Sequence, residues 1–465
     1  MKALFGAKWI WVILALIFFS LVIWFGGPYV AVNNYAPLGS EGARTIAIVV
    51  LVVFWGLRAL LREFKAVLAS RNLAQAVVKQ EDPTDARAAA DAKQMQERFN
   101  EATATLQKSS KGRKSLYDLP WYVIIGPPGA GKTTIINNSG LHFPLSEKFG
   151  KAALRGVGGT RNCDWWFTEQ AILLDTAGRY TTQDSDRSSD AAGWLGFLQL
   201  LRKYRKRRPI NGVFVALSIV DLATQTDAER ARHVESVRTR LQELNRELKI
   251  SLPVYLLLTK CDLLAGFNEF FDDLHQDGRA QVWGMTFPLD ASRSGEAAKH
   301  FQEEFALLLD RLNTRVLARM EAERDVQRRA LIFGFPREVA GTRRALGEFI
   351  NQAFGEAARE RGVWLRGVYF TSGTQEGTPV DRMLGSLART FGLGMRAVSS
   401  QSGRGKAFFI QRLLLDVVFQ ESGLAGVNRS TEVRQILTQA ALFVGIAALT
   451  ILGTLALALS YQRNR

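Results

Sequence analysis

Cysteine is nearly missing from this chain. Cys163 and Cys261 are the only two in 465 residues, and neither sits in a CxxC spacing. A disulfide framework and a cysteine-rich structural zinc site are therefore excluded. Histidine is scarce too: His142, His233, His275 and His300 stand at no ligand spacing, so no transition-metal site is expected. No internal repeat and no extended low-complexity tract occurs. Charge is absent over long stretches, with none in the 32 residues 9–40 and none in the 24 residues 436–459. Where charge is present, bases exceed acids by 60 to 44, a net +16. Nucleic acid would suit that balance, but a membrane protein with a cytosolic bulk carries the same excess for topological reasons.

The uncharged runs decide between these readings. Residues 9–25 are almost wholly apolar with aromatics at both ends, and about 20 such residues cross a ~30 Å hydrocarbon core as a helix. Gly26, Gly27, Pro28 and Pro37 make a turn, and residues 45–61 form a second apolar run containing Arg58. Lys2 and Lys8 precede the first run and Arg62, Lys65 and Arg71 follow the second, so the positive-inside rule gives an inward amino terminus. The expected organisation is a transmembrane hairpin over 1–61, a helical linker over 62–119, a phosphate-loop domain over 120–290, an α/β and helical extension over 291–435, and a third transmembrane helix over 436–460. Residues 62–435 are then cytosolic. A chain ending just past a span reads as a fragment whose extracytoplasmic remainder is missing.

In the cytosolic part, short β-rich runs at 121–125, 171–174, 213–220 and 254–259 alternate with helical stretches such as 228–248. This predicts an α/β fold with a doubly wound parallel sheet. In the extension, 330–335 and 364–371 read as strands, and 301–317, 342–354 and 408–419 as helices.

The chemistry starts at Gly126-Pro127-Pro128-Gly129-Ala130-Gly131-Lys132-Thr133, a G-x-x-x-x-G-K-[ST] phosphate loop between a strand and a helix. Gly126, Gly129, Ala130 and Gly131 present backbone amides to phosphate. Lys132 reaches the β and γ phosphates, Thr133 ligates Mg²⁺, and Thr134 completes the turn beside them. Asp175-Thr176-Ala177-Gly178 ends a strand and aims a carboxylate at the loop, so Asp175 would hold Mg²⁺ through water and Gly178 would touch the γ-phosphate. Thr259-Lys260-Cys261-Asp262 has the [NT]-K-x-D form of a guanine reader: the Lys260 stem packs on the base, and Asp262 accepts from two guanine donors that adenine lacks. A solvated turn has the same form, so the nucleotide is GTP or ATP. Thr160, in the Gly-rich run 156–160, is the candidate third metal residue. Arg179 stands where Ras-like GTPases carry the glutamine that positions water. It either neutralises γ-phosphate charge or is a structural arginine, and rapid intrinsic hydrolysis is not expected. The run Arg202-Lys203-Tyr204-Arg205-Lys206-Arg207-Arg208 reads as a solvated helix end, with anionic lipid or an acidic partner as the alternative and nucleic acid not expected.

Together with residues 159–167 (GTRNCDWWF), DTAGRYTTQDS from Asp175, TKCDLLAGF from Thr259, VWGMTFP from Val282 and LRGVYFTSGTQEG from Leu365, the chain resembles the TssM (IcmF-like) family of inner-membrane subunits of bacterial type VI secretion systems. The resemblance implies a multi-subunit membrane complex with self-association, a TssL-like inner-membrane protein, baseplate proteins, and a TssJ-like lipoprotein reached through a periplasmic region absent here. It also implies a scaffold role to which any hydrolysis is secondary. An autonomous targeting GTPase resembling a signal-recognition-particle receptor is the alternative; the hairpin, the third span and the TSGTQEG segment argue against it. A scaffold with a vestigial pocket is a third reading.

Overall fold

A computed structural model describes residues 7–29, 38–53, 55, 119–143, 163–182, 187–205, 208–355, 362–373 and 407–426. Thr160, the expected linker and the third apolar run lie outside the described residues. The chain divides into two units, Met1–Ala69 with Ser430–Arg465, and Ser70–Arg429.

In the first unit a 20-residue helix, Ala7–Gly26, runs into a turn at Gly27–Tyr29, and a second helix covers 41–53. Ser40 caps the second helix through its hydroxyl, which accepts from the Ala43 amide at 3.2 Å. Arg44 ties the helices together: its guanidinium donates to the Trp24 carbonyl at 3.2 Å and lies 5.3 Å over the Trp24 ring. Side chains of the first helix are described from residue 16 onward. Among the described residues no helix is long and apolar enough to cross a membrane.

The second unit is built on a seven-stranded sheet in the order β2-β3-β1-β4-β5-β7-β6. The strands are β1 Trp121–Ile125, β2 Cys163–Phe167, β3 Ile172–Thr176, β4 Gly212–Ser218, β5 Leu252–Thr259, β6 Gly284–Thr286 and β7 Val363–Phe370. The five inner strands run parallel, and β2 and β6 close the edges antiparallel. This is the expected α/β class with a mainly parallel sheet. Strand β7 comes from beyond residue 290 yet pairs with β5 inside the same sheet.

Alternation along each strand feeds two apolar layers. Trp121, Val123, Ile125, Val213, Val215, Leu217, Val254, Leu256 and Leu258 join helices Arg187–Tyr204 and Asp227–Leu248 on one face. Tyr122, Ile124, Phe214, Ala216, Tyr255 and Leu257 join Ile135, Ile136, Leu413, Leu414, Val418 and Phe419 on the other. Those last four sit on a segment with a π-helical stretch, Leu413–Val418, that lies across this second face. Its Gln411 donates to the Gly140 carbonyl at 3.1 Å, just past the short helix Lys132–Asn137. At its other end Glu421 takes Arg366 side-on, with Nε 2.9 Å from both carboxylate oxygens, and accepts from the Tyr255 hydroxyl at 3.0 Å. Asn211 donates to the Ser422 carbonyl at 2.7 Å, and the Gly426 amide to the Ser251 carbonyl at 2.8 Å.

Sequence expectations at 330–335, at the start of 408–419 and in the basic run are corrected. Residues 330–335 are helical, within Val326–Gly341. A short apolar run fits a strand or a buried helix equally, and here Ile332, Phe335 and Val339 recur at helical spacing and are buried, behind an Asp325 cap that accepts from the amides of Gln327 and Arg328. The basic run is not simply a solvated helix end. Arg205 is buried, donates to the carbonyls of Leu119 at 3.2 Å and Pro209 at 3.4 Å, and lies 4.7 Å over the Trp121 ring. The Arg208 guanidinium reaches the Ser422 carbonyl.

The long helix Asp227–Leu248 opens with a reciprocal capping box between Thr226 and Glu229. It buries His233 edge-on against Phe349, with neither ring nitrogen hydrogen-bonded. Burial holds this imidazole below its ordinary value of 6.5, against the weaker pull of Asp221. The unfolded chain therefore binds the proton first, so stability should fall as pH drops below about 6.5. Urea unfolding at pH 8 and pH 5.5 should show that loss in the wild type, and His233→Leu should diminish it.

Candidate functional site

Parallel strands place their carboxyl ends on one edge, and four of these ends meet here. The loop after β1 is the glycine-rich segment 126–131. The loop after β3 carries Asp175 to Gly178, that after β5 carries Thr259 to Asp262, and that after β7 carries Thr371 to Gly373.

The loop after β1 is tightly packed. A side chain at Gly126 would meet the Ala216 carbonyl oxygen of β4 at 2.4 Å, so a residue with a Cβ cannot replace it without displacing backbone. Pro127 and Pro128 offer no N–H, and the Ala130 amide turns back to the Pro127 carbonyl at 3.2 Å. The amides of Gly129, Gly131, Lys132 and Thr133 remain as the loop's donors for an anion. Lys132 is 8% exposed and folds over the loop, its ammonium 2.8 Å from the Gly126 carbonyl and 3.0 Å from that of Pro127. Burial lowers its proton affinity and the Asp175 charge partly restores it.

Asp175 lies 5% exposed at the end of β3 and accepts from the Thr133 hydroxyl at 2.5 Å. Burial raises its carboxyl, while Thr133 and then Lys132 pull it back. Its Oδ1 is enclosed and has no hydrogen-bond partner. An orphaned carboxylate oxygen beside a threonine hydroxyl and a phosphate loop fits a hard divalent cation such as Mg²⁺, which takes oxygen ligands and fills its shell with phosphate and water. Among the described residues, no group of three or more His, Cys, Asp or Glu could hold a metal alone. Gly178 abuts the loop so closely that a Cβ there would lie 2.4 Å from the Pro128 nitrogen. Arg179, next in the chain, places its guanidinium 5.6 Å over the Tyr180 ring.

The TKCD segment is joined to this centre. The Thr259 hydroxyl donates to the Ala130 carbonyl at 2.8 Å, so this segment is fastened to the glycine-rich loop. Lys260 adopts a left-handed backbone, φ 58°, and its ammonium lies 3.7 Å from Asp221. Asp262 accepts from the Ser372 hydroxyl at 2.5 Å. The structure thus brings together Gly126, Gly129, Ala130, Gly131, Lys132, Thr133, Asp175, Gly178, Thr259 and, through Ser372, Asp262. Thr134 meets the β7 loop, since a Cβ at Gly373 would lie 3.1 Å from its carbonyl oxygen.

Three contributors were missed by sequence reasoning. Thr181 accepts from the Gly126 amide at 3.1 Å, Ser372 orients Asp262, and the Thr371 carbonyl accepts from the Cys261 amide at 3.3 Å. Strand β8, Ser372–Gly373, is held in place by pairing with β9, Ala407–Phe408. The available signal was a small polar cluster at the end of an apolar run, the same pattern that marks the other three loops.

Comparison with known proteins adds the following. Residues 187–446, more than half of the chain, match the IcmF-related N-terminal domain. The chain is also 53% identical over 345 residues to a type VI secretion system component, TssM1, of Pseudomonas aeruginosa; the alignment covers 73% of this chain and 31% of that protein. The chain therefore spans about a third of the length of the relative it matches. The glycine-rich loop and Asp175 precede the 187–446 match.

Proposed function

The chain belongs to the IcmF-related family, and from that premise we propose that it is an inner-membrane scaffold of a type VI secretion complex whose α/β unit binds a Mg²⁺-nucleoside triphosphate. The observation that carries the nucleotide part is the convergence at one sheet edge of Lys132, the Thr133–Asp175 pair and a TKxD aspartate fastened to the phosphate loop through Thr259. In this reading the unit is GTPase-like. Lys132 and the loop amides hold the phosphates, while Thr133 and Asp175 hold the cation, with Thr160 as a further candidate. Asp262, oriented by Ser372, reads guanine. Bound Mg²⁺ would neutralise phosphate charge and position the triphosphate; Arg179 adds positive charge beside Gly178. Any hydrolysis serves assembly or gating of the complex.

The membrane part is supported by sequence and surface together. Three apolar runs have the length of a span, and the described part of the first unit exposes Ile17, Phe18, Leu21, Val22, Phe25, Ile46, Val49, Val50 and Val53. Such a surface is unfavourable in water and suits hydrocarbon. The partners proposed are TssL-like and baseplate proteins, further copies of the chain, and a TssJ-like lipoprotein met by a periplasmic region.

Competition binding of GTP, ATP and xanthosine triphosphate to the detergent-solubilised chain tests the base assignment. GTP should bind at least about tenfold more tightly than ATP, because adenine leaves the Asp262 carboxylate without its donors. Asp262→Asn should weaken GTP and improve xanthosine triphosphate, whose O2 acceptor faces the new amide. Equal affinities for GTP and ATP, unmoved by the substitution, would leave a phosphate-loop protein without guanine selectivity.

A further inference from the structure

Asp164 and Asp175 stand directly opposite each other across the antiparallel pair β2–β3. Residues so placed carry their side chains on the same face with Cβ atoms about 5 Å apart, and like charges there repel. Asp175 is 95% buried on the 5% exposure given above, and its Oδ1 has no hydrogen-bond partner; Asp164 Oδ1 is enclosed and unpartnered as well. The Lys132 ammonium, which acts on Asp175 through its charge, donates its hydrogen bonds to the carbonyls of Gly126 and Pro127. Two enclosed carboxylate oxygens therefore share one neighbourhood, and neither has a donor. Within an interior of low polarity that juxtaposition is costly, and a cation between them relieves it.

We propose that Asp164 is a direct ligand in the divalent-cation site, joining Thr133 and Asp175. The proposal rests on the Mg²⁺-nucleotide reading and deepens it. A phosphate-loop site with one carboxylate relies on the nucleotide's phosphates to retain its cation. A second carboxylate doubles the site's own negative charge, so the protein holds a divalent ion before nucleotide arrives. The orphaned Oδ1 atoms of Asp164 and Asp175 and the Thr133 hydroxyl supply three oxygens, and water or phosphate completes the shell of a hard cation.

The test uses the full chain in detergent micelles, with no nucleotide, titrated with Mn²⁺ while electron paramagnetic resonance reads the free ion. Wild type should take up Mn²⁺ at one site per chain, and its thermal midpoint should rise with the metal. Asp164→Asn and Asp175→Asn should each weaken that uptake by about tenfold or more. Metal-free Asp164→Asn should unfold no earlier than wild type, because it removes one of two opposed charges. Asp164→Ser, smaller and also uncharged, should weaken uptake in the same way. Asp164 variants that retain wild-type Mn²⁺ affinity, or a wild type that takes up no Mn²⁺ without nucleotide, would overturn the proposal. Calorimetry with GTP and Mg²⁺ separates it from the reading beneath. GTP binding with Asp164-independent metal uptake removes Asp164 from the site and leaves the nucleotide assignment standing. Asp164-dependent Mn²⁺ uptake with no GTP binding leaves a metal site and removes the nucleotide.

Discussion

Lys132→Ala should weaken triphosphate binding by roughly 2 to 4 kcal/mol, the scale of deleting one partner of a buried charge contact. Two losses combine in that figure. The ammonium is the loop's only side-chain cation, and its removal takes away the one counter-charge that the loop itself would offer the β and γ phosphates. Its hydrogen bonds to Gly126 and Pro127 also brace the loop from within, so the truncated loop loses shape as well as charge. Isothermal calorimetry on wild type and variant reads the difference directly. Circular dichroism of the variant should show the sheet intact, since the strands and both apolar layers are untouched. Equal affinity in the two proteins would withdraw the phosphate-loop assignment.

A comparable effect on stability is expected from Glu421→Ala. Glu421 takes Arg366 side-on and also accepts from the Tyr255 hydroxyl. The side chains of Arg366 and Glu421 are 12% and 20% exposed. Truncation strands the guanidinium and a phenol together, and breaking a pair this enclosed costs about 3 kcal/mol. Urea denaturation should show the loss as a lower midpoint. Arg366→Ala should cost a similar amount, because Glu421 is then the stranded charge. The double variant Arg366→Met with Glu421→Leu should recover much of the deficit, since no buried charge remains. If the single variants unfold at the wild-type midpoint, the pair does not anchor this segment.

The parts of the site that sequence reveals are those whose chemistry is local. The phosphate loop concentrates its residues in eight positions, and DTAG and TKCD each follow an apolar strand, so Lys132, Thr133, Asp175 and Thr259 are readable one motif at a time. Ser372 is not: it acts on a residue 110 positions earlier, and only the insertion of β7 beside β5 brings the two together. Asp164 was hidden for a related reason. Between Cys163 and two tryptophans it looks like an ordinary polar position of an alternating strand, and only the β2–β3 register sets it against Asp175. The error at 330–335 has a different origin. ALIFGF is apolar enough for a buried strand, yet it lies within the helix Val326–Gly341, which also accommodates Pro336. The start of the expected helix at 408 failed because Phe408 pairs in β9 and Phe409 takes a left-handed backbone, φ 63°, which ends regular structure before Gln411 begins the next turn.

The segment from Gln411 to Gly426 works as a linkage rod. One end is pinned beside the phosphate-loop helix by the Gln411–Gly140 hydrogen bond and by shared packing with Ile135 and Ile136. The other is pinned at the opposite ends of the strands by Glu421, Ser422 and Gly426. Close-packed interiors transmit displacement with little loss, so a shift of the helix that begins at Lys132 is carried along the rod rather than absorbed beneath it.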